Sequence, residues 1–200
     1  IVGTDLSNEM IAFAKTKYPP LNTGNLDFLV MDAEKNIFHN RFDIVTSFCC
    51  LQWVRNQADA LKGVKNALIP GGKAILALPL KSEMEEIFEP IISSEKWANY
   101  FTHFDDPMTY FTLETYTNLL ENIGFKKQTI KEETLSYTFK TQHDIELFLK
   151  SGNPRMKSLS ESKQDEFTAD MAAAIFQANT SSKKPFLSLQ MLIAHVVKPL

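Results

Sequence analysis

The chain has 200 residues, 44% of them hydrophobic, and a formal net charge of −3. This length suits one domain with a sizeable core, so residues 1–200 are expected to form a single domain. The acidic balance gives no electrostatic footprint for nucleic acid. No apolar run is long enough for a membrane span and no secretory pattern opens the chain, which favours a cytoplasmic protein.

Strands alternate with helices in the first part of the chain. Ser7 is typical of a helix N-cap, and apolar residues at helical spacing follow it as far as Pro19-Pro20. Buried strands are expected up to Asp5 and over residues 26–31, 42–50 and 74–80. A helix is expected over residues 56–68, and Pro70-Gly71-Gly72 is expected to turn the chain. The alternation predicts an α/β fold with a doubly wound, mostly parallel sheet.

The second part of the chain is less regular. Residues 81–112 are rich in Glu, Ser and large aromatics and predict a helical, lid-like insertion. A core helix over residues 113–122 is expected to end at Gly124. Two strands are expected at 125–135 and 187–197. Residues 136–186 between them predict a second helical insertion, with helices at 144–149 and 164–178 and a polar loop at 179–185.

The carboxyl ends of the predicted parallel strands are where a ligand is expected to bind. Asp5 ends the first visible strand, and its carboxylate is interpreted as an acceptor for both ribose hydroxyls of a nucleoside. The alternative is a solvated acid that caps the helix, but Ser7 is better placed for that task. Asp32 with Ala33 would hold the edge of an adenine ring; a simple turn aspartate is an equally open interpretation. Met10 would flank the adenine, or be ordinary core.

The third strand runs into an unusual loop, Cys49-Cys50-Leu51-Gln52-Trp53. An amide and an indole lie side by side at a strand end, which favours a loop that lines a pocket. The alternative is that Trp53 packs on the sheet edge. The two adjacent cysteines are expected to be buried, reduced thiols, and no Cys/His spacing predicts a metal site.

Four motifs in this order, VGTDLS, VMDAE, FDIVTSFCCLQWV and LIPGGKAILALP, resemble the class I S-adenosylmethionine-dependent methyltransferases. Within that family, the sequence is similar to those of small-molecule carboxylate O-methyltransferases of the trans-aconitate, juvenile hormone acid and malonyl-carrier-protein type. The resemblance implies one methyltransferase domain with a Rossmann-like sheet and an antiparallel last strand. The family's first strand and Gly-rich loop, which cradles the methionine moiety, have no counterpart here. We therefore expect this chain to lack the middle of the sheet. If the chain is a fragment of a longer protein, the fragment is expected to be inactive.

The resemblance also implies a role for each strand end, with S-adenosyl-L-methionine as the cofactor. Asp5 would bind the ribose hydroxyls, and Leu6 and Met10 would lie near the adenine. Asp32 and Ala33 would hold the adenine amino edge. The remaining residues of this set would lie under the methionine part or face the junction of cofactor and acceptor: Ser47, Phe48, Leu51, Gln52 and Trp53.

The acceptor side is inferred from the chemistry. A carboxylate is already ionised at neutral pH and needs no general base, whereas a phenol or amine would be helped by one. The sequence places no obvious base at a strand end; His103 is a weak candidate, and His143 a weaker one. This favours a small carboxylic acid or carrier-bound acyl group that is methylated on oxygen.

Aromatic residues of the lid-like insertion are candidates to contact the acceptor. Trp97 and Phe104 are expected to line its site when the insertion closes and excludes water. The alternative is that both are ordinary core of the insertion. Arg155 would pair with an acceptor carboxylate, or be a surface arginine.

Two other function classes remain open from the sequence. A non-catalytic nucleoside-binding or partner-binding module would fit a chain that is naturally this short. An NAD-linked oxidoreductase also uses an acid after its second strand, but no tyrosine here has a lysine at Tyr-x-x-x-Lys spacing. Nucleotide hydrolysis lacks its phosphate-binding motif.

Overall fold

Two sheets organise the protein, which is described here from a computed structural model over residues 1–19, 24–80, 83–178 and 186–200. In the first sheet, β1 (Val2–Asp5) pairs in parallel with β2 (Asp27–Val30), and α1 (Asn8–Lys17) connects them. Ser7 caps α1, since its hydroxyl accepts a hydrogen bond from the Met10 N–H at 3.2 Å, as predicted. The expected polar loop at 179–185 lies outside the described residues.

The second sheet has four strands in the order β3-β4-β6-β5. The strands β3 and β4 are parallel, and the last strand, β6, is antiparallel to both β4 and β5. The mostly parallel, Rossmann-like sheet with an antiparallel last strand is thereby confirmed. The bounds are Phe42–Phe48 for β3, Leu68–Pro79 for β4, Lys126–Thr138 for β5 and Phe186–Val197 for β6.

Within the described ranges, six further helices pack around these strands. Thr112 caps the start of α5, and Gly124 ends it with a left-handed φ of 88°, as its position in the sequence predicted. The bounds are Gln57–Ala67 for α2, Glu83–Ile92 for α3, Ala98–Phe101 for α4, Leu113–Ile123 for α5, Gln142–Gly152 for α6 and Glu161–Ala178 for α7. None of the helices in the described ranges has the length and apolarity that a membrane crossing needs.

The strand β4 begins earlier than predicted. Its pairing with β3 jumps from Phe42↔Leu68 to Ile44↔Lys73, so residues 69–72 bulge out of the ladder rather than forming a separate turn before the strand. The end of β6 holds this bulge, because the Gly71 N–H donates to the Lys198 carbonyl and the Lys198 N–H to the Gly72 carbonyl, both at 2.9 Å. A partner that is distant in the chain thus decides where the strand starts.

The described part of the chain forms two hydrophobic cores. In the first, side chains of β4 and β6 pack against α2 and α5; Leu61, Leu76 and Tyr116 are fully buried there. The second joins the two insertions to each other, because Trp97 of the first insertion packs with Phe167 of the second. The insertions therefore form one helical layer, and this layer is held together by contacts far apart in sequence.

The sheet is divided in the middle. Within the described ranges β1 pairs only with β2, and β3 only with β4. Ile44 and Phe48 of β3 are 56% and 61% exposed, which is unusual for apolar residues of a strand in a parallel sheet. The division falls where the sequence shows no counterpart to the family's first strand.

Candidate functional site

The ends of β1, β2 and β3 lie close to one another. The Met31 N–H donates to the Asp5 carbonyl at 2.8 Å, so the ends of the parallel strands β1 and β2 are adjacent. The loop after β3 is close as well, because the Asn56 N–H at its end donates to the carboxylate of Glu34, two residues beyond Asp32, at 3.0 Å. The three strand ends that are predicted to bind a ligand therefore lie at one edge, which is where ligands of parallel sheets bind.

Asp5 presents an exposed carboxylate at this edge. Its Oδ1 accepts a hydrogen bond from the Ser7 N–H at 2.8 Å, and this bond fixes the orientation of the side chain. The helix cap is supplied by Ser7 and not by Asp5, as the sequence predicted. Leu6 and Met10, 72% and 54% exposed, add apolar surface beside the carboxylate. A carboxylate flanked by apolar side chains suits a ribose joined to an adenine.

Asp32 is engaged in a turn. Its Oδ1 accepts from the Glu34 N–H at 3.0 Å and caps the 3₁₀ helix Ala33–Lys35, while its Oδ2 lies 3.8 Å from the Lys35 ammonium. The structure therefore agrees with the interpretation of Asp32 as a turn aspartate. The same turn places the backbone after Asp32 at the strand edge, next to Asp5.

The two cysteines are exposed, so the expectation of buried thiols is wrong. Cys49 has a left-handed φ of 50°, which directs the chain away from β3 into the loop. Although much of the residue Cys50 is exposed, its thiol is partly desolvated, and this raises the pKa of the thiol; the nearby negative charge of Asp5 raises it further, while a hydrogen bond with Ser47 opposes the shift.

The loop after β3 is held in place by burial and by hydrogen bonds. Leu51 and Gln52 are 3% and 4% exposed, whereas Trp53 is 40% exposed. The Gln57 side-chain amide donates to the Val54 carbonyl at 2.7 Å and also to the Leu51 carbonyl, so it staples the loop to the start of α2. Sequence reasoning missed Gln57, and the only available signal was a polar residue at the first position of a helix. The Gln52 Oε1 is buried and has no hydrogen-bond partner among the described residues.

The lid-like insertion lies against this loop. The Thr109 N–H donates to the Gln52 carbonyl at 2.8 Å, and Arg55 forms an ion pair with Asp105. Phe104 is half-buried, and the guanidinium of Arg155 lies 4.6 Å from its ring centre. Residues 104–109 therefore run between the loop after β3 and the second insertion.

Three other predicted residues are core or surface residues. Trp97 is 1% exposed, and its indole N–H donates to Asp170 at 2.7 Å, so the alternative that Trp97 is core of the insertions fits the structure better. His103 is exposed, and the Nδ1 of His143 lies 3.5 Å from Glu146 on the surface of α6. Across the described ranges no group of three or more His, Cys, Asp or Glu side chains is arranged to hold a metal ion.

The fold belongs to a known class. The strand order and the antiparallel last strand are those of a Rossmann-like sheet, and the resemblance to methyltransferases inferred from the sequence is confirmed by the matches that follow. Residues 1–76, which contain Asp5, Asp32 and the loop after β3, match the model of a family described as "Methyltransferase domain".

Individual proteins to which this chain is similar are methyltransferases. The juvenile hormone acid O-methyltransferase of Drosophila melanogaster is 25% identical over 187 residues, which cover 90% of this chain and 63% of the relative. The demethylmenaquinone methyltransferase of Chlorobaculum tepidum is 30% identical over 155 residues, covering 70% of this chain and 60% of the relative. The chain thus spans less than two thirds of these relatives.

A solved structure has the same fold. Phosphoethanolamine N-methyltransferase 2 from Haemonchus contortus, in complex with S-adenosyl-L-methionine, superposes with a TM-score of 0.60 at 19% identity, covering 100% of this chain and 43% of the other.

Proposed function

We propose that the protein transfers a methyl group from S-adenosyl-L-methionine to a small-molecule acceptor, and that the methylated atom is a carboxylate oxygen. One observation carries this proposal: the exposed Asp5 carboxylate ends β1 beside the end of β2, and the turn after β2 is joined to the loop after β3 by the hydrogen bond from the Asn56 N–H to Glu34 at 3.0 Å. These are the three strand ends that the sequence motifs assign to the nucleoside and the reacting centre.

The residues present fit the nucleoside half of the cofactor. Asp5 would accept hydrogen bonds from the ribose hydroxyls with the carboxylate oxygen that Ser7 leaves unused. Leu6 and Met10 would cover the adenine, and Asp32 with the Ala33 amide would hold its amino edge. Ser47 and Phe48 would lie beneath the methionine part, but the described residues contain no Gly-rich cradle, so no further role is assigned there.

The reaction needs little acid–base chemistry. The cofactor supplies a methyl group on a sulfonium: as the acceptor oxygen bonds to the methyl carbon, the carbon–sulfur bond breaks and its electron pair stays on sulfur. The exposed ring of Phe48 would stabilise the sulfonium charge by a cation–π contact. Trp53 would align the acceptor, and alignment supplies much of the rate of such a displacement. The hydrogen bond between Thr109 and Gln52 would keep the insertion over the site and limit the entry of water.

Two lines support a carboxylate as the acceptor. His103 is exposed and His143 lies beside Glu146 on the surface of α6, so neither is held as a general base, and an ionised carboxylate needs none. The relative that this chain matches over 90% of its length is named for methylation of an acid. The name of the Chlorobaculum tepidum relative favours a second acceptor, an aromatic quinol.

The experiment uses the full-length gene product with methyl-labelled cofactor. The acceptors are decanoate, decylamine and a naphthohydroquinone, and calorimetry with S-adenosylhomocysteine measures the nucleoside site separately. We expect labelled methyl decanoate, whose ester releases methanol in alkali. Labelling only of the quinol would overturn the carboxylate assignment, and absence of binding by S-adenosylhomocysteine would overturn the methyltransferase proposal itself.

A further inference from the structure

Arg155 is a partly buried cation whose donors are largely unused. Its side chain is 22% exposed, and its Nε is buried without a hydrogen-bond partner. It lies in the 3₁₀ helix Pro154–Ser158 of the second insertion, which Asn153 caps by accepting from the Arg155 N–H at 3.0 Å. The backbone below the guanidinium is therefore fixed, although the guanidinium itself makes no hydrogen bond in the described part of the chain.

The nearest anion forms an ion pair with this guanidinium but no hydrogen bond. The Oδ2 of Asp106 lies 3.5 Å from the Arg155 Nη2, while its Oδ1 accepts from the Met108 N–H at 3.0 Å. Arg55 provides the contrast on the same segment, because it donates a direct hydrogen bond to Asp105. Of these two arginines, Arg155 is the one whose two Nη groups donate no hydrogen bond within the described ranges.

Phe104 packs against the guanidinium. The guanidinium carbon of Arg155 lies 4.6 Å from the centre of the Phe104 ring, so the ring holds the cation in place while its Nη groups remain for a ligand. A guanidinium edge matches the two oxygens of a carboxylate, and a partly desolvated site strengthens that pair. The arrangement therefore suits a carboxylate ligand.

The reacting carboxylate is a poor candidate for this site. Two N–H bonds from arginine would occupy its lone pairs and make the oxygens weaker nucleophiles. Arg155 is also separated from the loop after β3 by residues 104–109, since Thr109 bonds Gln52 on one side and Asp106 faces Arg155 on the other. A ligand that uses both places needs two anionic ends.

We propose that Arg155 binds a second carboxylate of the acceptor, one that is not methylated, so that the preferred acceptors are dicarboxylic acids. This inference rests on the proposed methyl transfer to a carboxylate. Arg155 is then a specificity-determining residue: it contacts the substrate away from the reacting atoms.

The test compares straight-chain diacids from six to twelve carbons with monoacids of the same lengths, in the presence of S-adenosylhomocysteine. We expect at least one diacid to bind about tenfold more tightly than its matched monoacid, which is a typical value for one charged pair. Arg155→Gln should remove that preference without changing the affinity for monoacids, and Arg155→Lys should restore it only in part, because lysine has no fork. Arg55→Gln is the matched control and should keep the preference.

The outcomes separate the two proposals. A diacid preference that is missing in the wild type, that survives Arg155→Gln or that is lost equally in Arg55→Gln overturns the role of Arg155 while leaving methyl transfer to monoacids intact. If no acid is methylated and S-adenosylhomocysteine does not bind, the proposed function fails, and this inference fails with it. A general folding defect in Arg155→Gln would lower monoacid and diacid binding together, so the ratio of the two affinities is the decisive readout.

Discussion

Burial raises the pKa of the Cys50 thiol and the charge of Asp5 raises it further, although Asp5 ends β1 and Cys50 lies in the loop after β3, a strand of the other sheet. The effect requires the end of β1 to lie near the loop after β3, across the division of the sheet. It is therefore a chemical measure of whether the two strand ends meet in solution.

We predict that Cys50 is alkylated more slowly by iodoacetamide than a free thiol at pH 8, and that Asp5→Asn accelerates the reaction. The thiolate is the reactive form, so a raised pKa lowers the reactive fraction at any pH below it, and removal of the negative charge restores part of that fraction. The measurement is the alkylation rate against pH in a Cys49→Ser background, where Cys50 is the only thiol. An unchanged rate in Asp5→Asn would mean that the two strand ends do not meet.

The second prediction concerns the ribose. Asp5→Ala should weaken binding of S-adenosylhomocysteine by about 1.5–3 kcal/mol, or roughly ten- to hundredfold, because hydrogen bonds to a charged group are lost. Calorimetry measures the change.

Asp27→Ala is the matched control for this substitution. Asp27 is also exposed, accepts a backbone hydrogen bond at 2.8 Å from the Phe28 N–H, and lies at the opposite end of the adjacent strand. Asp27→Ala should leave the affinity for S-adenosylhomocysteine unchanged. Equal effects of the two substitutions would remove Asp5 from the binding site.

The third prediction separates the two tryptophans. Trp97→Ala should destabilise the protein by about 3–5 kcal/mol, because a fully buried indole and its bond to Asp170 are lost. Trp53→Ala should cost no more than about 1 kcal/mol, since the side chain is 40% exposed, yet it should lower methyl transfer. Urea unfolding and steady-state kinetics measure the two effects. A stable but inactive Trp97→Phe variant would return Trp97 to the acceptor site.

Local signals explain why much of the fold was predictable. The caps of α1 and α5, Ser7 and Gly124, act within one helical turn, so the sequence beside them contains the whole cause. The start of β4 was predicted wrongly because the bulge at residues 69–72 depends on hydrogen bonds to Lys198, more than a hundred positions away. A one-dimensional pattern does not record such a partner.

The same reasoning applies to the site. The carboxyl-terminal positions of β1 and β2 follow from strand patterns alone, so Asp5 and Asp32 could be placed without coordinates. The burial of side chains in the two insertions could not be predicted in this way. Trp97 was an equal candidate for lid and core until Phe167 and Asp170, about seventy residues later, were seen to enclose it. The exposure of Cys49 and Cys50 likewise depends on which strands flank β3.

The last prediction tests the junction between α5 and β5. Gly124 has a φ of 88°, so Gly124→Ala should destabilise the protein by about 1–2 kcal/mol, which is the cost of a left-handed backbone for an L-residue. The new Cβ would also lie 2.6 Å from the Lys65 ammonium, which must move and give up its hydrogen bond to the Ile123 carbonyl. Gly152→Ala is the control, because nothing lies within 4 Å of its Cβ and its φ is not in the left-handed range; it should be neutral or stabilise the protein by up to about 1 kcal/mol. Urea unfolding of both variants measures the difference, and equal stabilities would mean that the helix ends in another way.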